Sequence, residues 1–270
     1  MMSVFKRVAF LEYVLLRVLM RVFLGKKKRD ELIESKIIDI DRFMLRHFLN
    51  RKVGFVRPLS RDEVFVNESK FQLIAPWDDL GVIEETDTVY LKPKKGDVVV
   101  DAGAHYGFYT IRASKLVGED GMVLAFEPHP KNYNRLVMNL KLNNVRNVKA
   151  FNLALGNIDG ITRLYLDSHS GGHSMVFKRS NFSVNVKISK LDTIVDELEL
   201  DKVDLIKIDT EGAELNILKG ALKTIRKHHP KLTIAAYHTA NEAEMIAKWL
   251  KKNMPSYNIK IINEKFLHAR

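Results

Sequence analysis

The run GDVVVDAGAHYGFYTIRAS, Gly96 to Ser114, constrains the fold more than any other part of this chain. It opens with a short apolar strand ending in Asp101. A turn containing Gly103 and Gly107 follows, and then a helical pattern. Some 20 residues on, Met122 to Phe126 form a second apolar strand, tipped by Glu127 in FEPHP. Strand, glycine turn, helix and a second strand ending in a carboxylate make half of a nucleotide-binding α/β fold. The glycines let the backbone approach a ligand closely. Glu127 is placed to accept hydrogen bonds from two ribose hydroxyls.

The turn reads D-x-G-x-x-x-G. A dinucleotide site would show G-x-G-x-x-G, with a pyrophosphate on the helix N-terminus. An acid beside the turn disfavours a diphosphate. It suits a ligand carrying an ammonium and a sulfonium, which describes S-adenosylmethionine.

Strand and helix patterns alternate from about Ile83. Strands are expected at 97–101, 122–126, 148–152, 203–208 and 231–237, each a short apolar run of the kind buried on both faces. Helices are expected at 107–117, 131–143, 189–198, 213–228 and 241–252. Ile161–Leu166 and Val184–Ile188 read as an antiparallel pair, and a strand at 257–262 is expected to close the chain. Before residue 85 lie an apolar helix, a helical pattern over Glu31–Leu49, and short strands at Val53–Arg57, Val64–Asn67 and Phe71–Ile74. The expected organisation is therefore 1–30, an amphipathic basic helix; 31–85, an extension or cap; and 86–270, the α/β domain.

The net charge of +11 is concentrated at the start of the chain. Residues 1–30 hold eight Lys or Arg against Glu12 and Asp30. Glu12, Arg17 and Arg21 interrupt the apolar run, which disfavours a spanning helix or a secretory signal. At about 100° per residue, Lys6, Arg7, Arg17 and Arg21 share one face. Residues 4–29 thus fit an interfacial helix on an anionic membrane, at the cytoplasmic face. The equal alternative is a helix that docks on the α/β domain or on a second copy of it, giving a homodimer. The chain contains no cysteine, which excludes disulfides and thiolate metal sites. No His or Cys spacing indicates a metal, and none is expected.

VVVDAGAHYGFYTI, AFEPHP, NLALG and LIKIDTEGAELNILKGA together resemble the motifs of FkbM-type methyltransferases, a class I S-adenosylmethionine-dependent family. The resemblance runs from about Thr86 to the C-terminus, and IDTEGAELNILKGA is its most specific piece. It implies a Rossmann-like seven-stranded sheet with helices on both faces and a reversed final strand. It also implies methyl transfer to a hydroxyl of a glycan, glycolipid or small metabolite. Carried onto this sequence, Asp101, Gly103, Ala104, His105, Tyr106 and Gly107 border the methionine part of the cofactor. Glu127 and Pro128 lie at the ribose, Asn152 and Ala154 near adenine, and Asp209 and Glu211 face the methyl. The sequence departs from the family at His105, commonly asparagine, and in AYH at 236–238, where an acid often occurs.

A hydroxyl acceptor needs a base to take its proton. Asp209, Glu211 and His238 are the candidates, all at expected strand ends. For Asp209 and Glu211 the alternative is capping of the helix that begins near Gly212. For His238 it is an ordinary structural hydrogen bond. His169 and His173 flank Gly171–Gly172 in a loop that either contacts the acceptor or lies on the surface. Two further readings stand beside methyl transfer to a small acceptor. One is an RNA methyltransferase, although no basic stripe with interleaved aromatics supports nucleic acid as a partner. The other is a non-catalytic, membrane-associated cofactor-binding scaffold. A nicotinamide enzyme lacks its glycine pattern here.

Overall fold

The computed structural model describes residues 55–58, 63–67, 72–76, 90–167, 170–178 and 180–270. The helices expected before residue 50, with the membrane or docking role of residues 4–29, lie outside the described residues, as does His169. Among the described residues no helix is long and apolar enough to cross a membrane.

The chain divides into two compact units, Met1–Gln72 and Leu73–Arg270. In the first, β1 (Phe55–Pro58) pairs antiparallel with β2 (Glu63–Asn67). β3 (Gln72–Pro76) follows. The boundary expected near residue 85 falls within 77–89, outside the described residues. Residues 73–76 already belong to the second unit. There the Asn139 side chain accepts the Ile74 N–H and donates to the Ile74 carbonyl, at 2.8 and 3.0 Å.

The second unit is built on a seven-stranded sheet. Its strands are β4 (Val98–Ala102), β5 (Met122–Phe126), β6 (Val148–Phe151), β10 (Leu205–Ile208), β11 (Lys231–Ala235), β12 (Ile259–Ile262) and β13 (Phe266–Ala269). The spatial order is β12-β13-β11-β10-β4-β5-β6. The five from β6 to β11 are mutually parallel, and β13 is antiparallel to both of its neighbours. The central strands are apolar on both faces because helices cover both. Val99, Val123 and Leu205 point to one face, where Tyr109, Ala113 and Val117 of α1 (Phe108–Val117) pack on them. Val100, Leu124 and Ile206 point to the other. They meet α3 (Leu191–Glu197), α4 (Glu214–Gly220), α5 (Leu222–His228) and α6 (Glu242–Asn253). Each such fully buried Leu or Ile is worth roughly 1.5–3 kcal/mol. α2 (Pro130–Leu142) follows β5.

A small second sheet is inserted between β6 and β10. In it, β7 (Ala154–Leu155) runs parallel to β9 (Ser183–Ser189), and β8 (Gly160–Tyr165) pairs antiparallel with β9. This is the antiparallel pair expected from the sequence.

Two elements differ from expectation. The strand near 257–262 does not close the chain. A turn through Asn263 and Glu264, both at positive φ, returns it as β13. The helix expected over 213–228 is two helices, broken at Gly220–Ala221. Gly220 packs so tightly that a Cβ there would lie 1.8 Å from the Gly156 carbonyl oxygen. The chain must turn where the second sheet presses on it.

Candidate active site

In open parallel sheets, ligands lie beyond the carboxyl ends of the strands, where the strand order reverses. Here that point falls between β4 and β10, and a cleft of about 450 Å³ opens there. Gly103 to Tyr106 line one wall, with Glu127 and Pro128 beyond them. Ala154 and Leu155 form an apolar section, and Asp209, Thr210, Glu211 and Tyr237 a polar end.

The turn after β4 is shaped by close approach. Gly103 has φ +80°, and a Cβ on it would lie 1.9 Å from the Asp209 carbonyl oxygen. Only glycine fits between the two strand ends. His105 is also left-handed, at φ 51°. Its N–H donates to Glu127 Oε2 at 2.9 Å, and the His129 N–H donates to Glu127 Oε1 at 2.9 Å. Burial raises the Glu127 carboxyl to about 7, against the opposing pull of those two amides.

Asp101 does not line the cleft. Its side chain is wholly buried, as a residue facing α1 must be. Oδ2 accepts the Thr110 hydroxyl at 2.6 Å, and Oδ1 lies 3.1 Å from Lys207 Nζ. Asp101, expected to border the cofactor, thus sits beneath the cleft lining and supports it from there. Lys207 Nζ in turn donates to the Gly103 carbonyl at 2.8 Å, so the acid steadies the glycine turn through the lysine. Gly107 and Asn152 also stand outside the lining. Gly107 precedes α1 at φ +88°, against Leu136. The Asn152 amide donates to the carbonyls of Glu127 and Pro128, at 2.9 and 3.0 Å, and holds that loop in place.

The loop between β8 and β9 covers one side of the cleft. Ser170 Oγ lies 2.8 Å from His105 Nε2, and the Ser170 carbonyl accepts the Asn132 amide at 3.1 Å. His173 lines the cleft, and its Nδ1 accepts the Asp167 N–H at 3.0 Å. Burial lowers His105 to about 3 and His173 to about 4, with nearby positive groups adding to the effect. Both rings are neutral near pH 7 and act as neutral hydrogen-bonding groups. Ser174 Oγ donates to the Glu211 carbonyl at 2.7 Å, holding Glu211 at φ 57°.

The structure brings Asp209, Glu211 and His238 together. His238 Nε2 lies 3.9 Å from Asp209 Oδ1 and 3.5 Å from Glu211 Oε1. Its Nδ1 faces Glu214 Oε1 and Glu242 Oε2, at 3.5 and 3.4 Å. The imidazole is 2% exposed and beneath the lining. Burial would lower its pKa, but the surrounding Glu211, Glu242 and Glu214 carboxylates outweigh that and raise it to about 10. The ring holds its proton near neutrality, which disfavours the role of base expected for His238. Asp209 and Glu211 remain exposed to the cleft. Neither caps α4, whose first turn has no side-chain cap. Glu214 instead accepts the Thr210 N–H and hydroxyl.

Sequence reasoning left Lys207, Tyr90, Asn132 and Tyr237 without roles. Lys207 alone carried a signal, a charge in the middle of the apolar strand LIKI. Tyr90 donates to Asp209 Oδ2 at 2.8 Å from a segment with no motif.

Fold and cleft together define a Rossmann-like α/β protein with a cleft at its strand-order reversal. Residues 101–257 match the Methyltransferase FkbM domain, and the chain belongs to that family. It is similar to Methyltransferase 1 of Beauveria bassiana, with 27% identity over 143 residues, covering 45% of this chain and 57% of that protein. It is also similar to hexuronic acid methyltransferase AglP of Haloferax volcanii, with 25% identity over 237 residues, covering 81% of this chain and 91% of that one. The chain spans 57% and 59% of the first two curated relatives it matches. The crystal structure of methyltransferase FkbM from Methylobacillus flagellatus superposes with a TM-score of 0.53 at 21% identity, over 68% of this chain and 48% of that one. That likeness shows the fold.

Proposed function

We propose that this protein is an S-adenosylmethionine-dependent O-methyltransferase acting on a hydroxyl of a sugar, glycan or similar small acceptor. The observation that carries the reading is the cleft itself. It has a close-approach glycine turn and Glu127 along one wall, and the carboxylates Asp209 and Glu211 at the polar end. In a member of the FkbM family that arrangement suits a nucleoside cofactor beside an acceptor oxygen.

The residues present fit the cofactor. Gly103 leaves room for a ligand to approach the backbone, Glu127 offers a carboxylate for ribose hydroxyls, and Ala154 and Leu155 offer an apolar surface for a base. When bound, S-adenosylmethionine supplies an electrophilic methyl on a positively charged sulfur. The chain's residues must hold the acceptor in line and keep water away. The Ser170 loop, pinned by His105 and Asn132, covers one side of the cleft for that purpose. Glu211 is the group we assign to take the acceptor's proton. It faces the cleft, and its carbonyl is tied down by Ser174. A sugar acceptor is supported by the likeness to AglP, whose name records a hexuronic acid substrate.

The test is calorimetric titration with S-adenosylmethionine, S-adenosylhomocysteine and NAD, on the wild-type chain and on Glu127→Ala. The reading expects micromolar binding of both sulfur compounds and weakening by at least tenfold in the variant. Binding of NAD alone, or of none of the three, would overturn it. An acceptor screen over uronic acids and other hydroxylated sugars then follows loss of the donor methyl.

A further inference from the structure

His238 is buried to 2% exposure, yet neither ring nitrogen makes a hydrogen bond. Nε2 is aimed between Asp209 Oδ1 and Glu211 Oε1, two carboxylates that line the cleft. One ligand atom from each of the three residues lies within 4.8 Å of the others. Two ligands on one cation, with bonds of about 2.0–2.2 Å, stand at most about 4.4 Å apart. The separations of 3.5 and 3.9 Å between the imidazole and the two carboxylates fall under that ceiling.

We propose that Asp209, Glu211 and His238 form a divalent-cation site at the polar end of the cleft, taking the ion through one carboxylate oxygen from each acid and through His238 Nε2.

Asp209 and His238 each turn their other polar atom elsewhere. Asp209 Oδ2 accepts the Tyr90 hydroxyl and lies 4.0 Å from Lys207 Nζ, so Oδ1 is the oxygen turned toward His238. Behind the ring, Nδ1 faces Glu214 and Glu242, at 3.5 and 3.4 Å. A histidine that ligates a metal characteristically presents its other nitrogen to a carboxylate, which fixes the ring and strengthens it as a ligand. The cation takes the place of the Nε2 proton, which leaves to solvent, while Nδ1 keeps its own proton toward Glu214 and Glu242. A second grouping, Glu214, His238 and Glu242, is also close enough to hold an ion. It is disfavoured because Glu214 Oε1 is occupied by Thr210 and Glu242 Oε2 by the His238 N–H, and neither acid lines the cleft. Two carboxylates with one imidazole suit Mn²⁺ or Zn²⁺ better than Ca²⁺. The sequence showed no ligand spacing because the three residues come from the ends of two different strands, β10 and β11.

Cation binding does not depend on the methyl-transfer reading, but the role of the cation does. On that reading the ion gathers two neighbouring acceptor oxygens, such as a sugar diol or a hydroxy acid, beside the reacting centre, and the Glu211 oxygen that does not hold the ion takes the acceptor's proton.

The experiment is titration of the untagged, chelator-treated 270-residue chain with MnCl₂, followed by calorimetry and by the loss of the free Mn²⁺ paramagnetic signal. We expect one Mn²⁺ per chain. Binding should weaken at least tenfold in Glu211→Gln and in Asp209→Asn, and stay unchanged in Glu244→Gln, an exposed acid on α6. Circular dichroism confirms that each variant is folded. If the wild-type chain takes no Mn²⁺, Mg²⁺ or Zn²⁺ up to millimolar concentration, or if both site variants bind as the wild type does, the proposal is overturned. S-adenosylmethionine titrated into the same samples separates the two readings. Mn²⁺ bound without the sulfur compound supports the cation site and sinks methyl transfer; the reverse result sinks the cation site alone.

Discussion

Lys207 and Asp101 stand opposite each other on neighbouring parallel strands, with Nζ and Oδ1 3.1 Å apart and side chains 5% and 0% exposed. Asp101 and Asp209 hold the Lys207 ammonium charged against the opposing effect of burial. The same ammonium donates to the Gly103 carbonyl. Removing one partner of such a pair leaves a buried charge uncompensated. Lys207→Met should therefore cost roughly 3–5 kcal/mol in urea unfolding. Lys207→Met with Asp101→Asn should recover part of that loss, because the orphaned charge is gone. A double variant as unstable as the sum of the singles would show that the pair does not act as a unit.

Asn139 anchors a distant strand with a single side chain. Wholly buried, it binds the Ile74 N–H and carbonyl and donates to the Tyr106 carbonyl at 2.8 Å. Asn139→Leu leaves three backbone groups without that partner, where each unmet buried group costs about 1–3 kcal/mol. We expect a loss of about 3 kcal/mol in the unfolding midpoint analysis. We also expect faster proteolysis around residues 72–76. A change below about 1 kcal/mol would mean that water replaces the amide.

Much of this arrangement was legible in the sequence, for physical reasons that also mark the limits. The β4 turn, the β5 acid and the apolar central strands are local patterns, so residues 98–126 read directly. β13 was hidden because its hairpin turns on Asn263–Glu264 rather than Asn-Gly, which removes the usual signal. The break at Gly220 depends on contact with Gly156, 64 residues away and invisible to helical periodicity. Asp101 was expected to border the cofactor because an acid beside the turn suits an ammonium and a sulfonium. The register that pairs it with Lys207 is tertiary information. The convergence of Glu211 and Glu214 on His238 likewise joins two segments, 211–214 and 238–242, and with it came the shift that keeps the imidazole protonated.

Gly103→Ala should be severe. A Cβ at this position would sit 1.9 Å from the Asp209 carbonyl oxygen, and φ +80° already disfavours any side chain. Either the turn after β4 moves or the end of β10 does. We expect a loss of about 3 kcal/mol together with loss of nucleoside binding, read by urea unfolding and calorimetry on the same preparation. Retention of wild-type affinity would show that the turn does not border the ligand.

Glu127 couples stability and binding to pH with opposite signs. Burial raises its folded carboxyl to about 7, above its ordinary value of 4.5. Between those values the folded state holds a proton that the unfolded state has released, so this group's contribution to stability falls as pH rises from about 4.5 to about 7 and is flat above. Glu127→Gln should remove that part of the decline. Glu214, also raised by burial, keeps a slope of its own. Ligand affinity should move the other way. Ribose hydroxyls donate to an ionised carboxylate more strongly than to a neutral acid. Affinity for S-adenosylhomocysteine should therefore rise across pH 6 to 8 in the wild-type chain and stay level in Glu127→Gln. A wild-type affinity that is flat over this range, or a variant that keeps the rise, would remove Glu127 from the ligand's contacts.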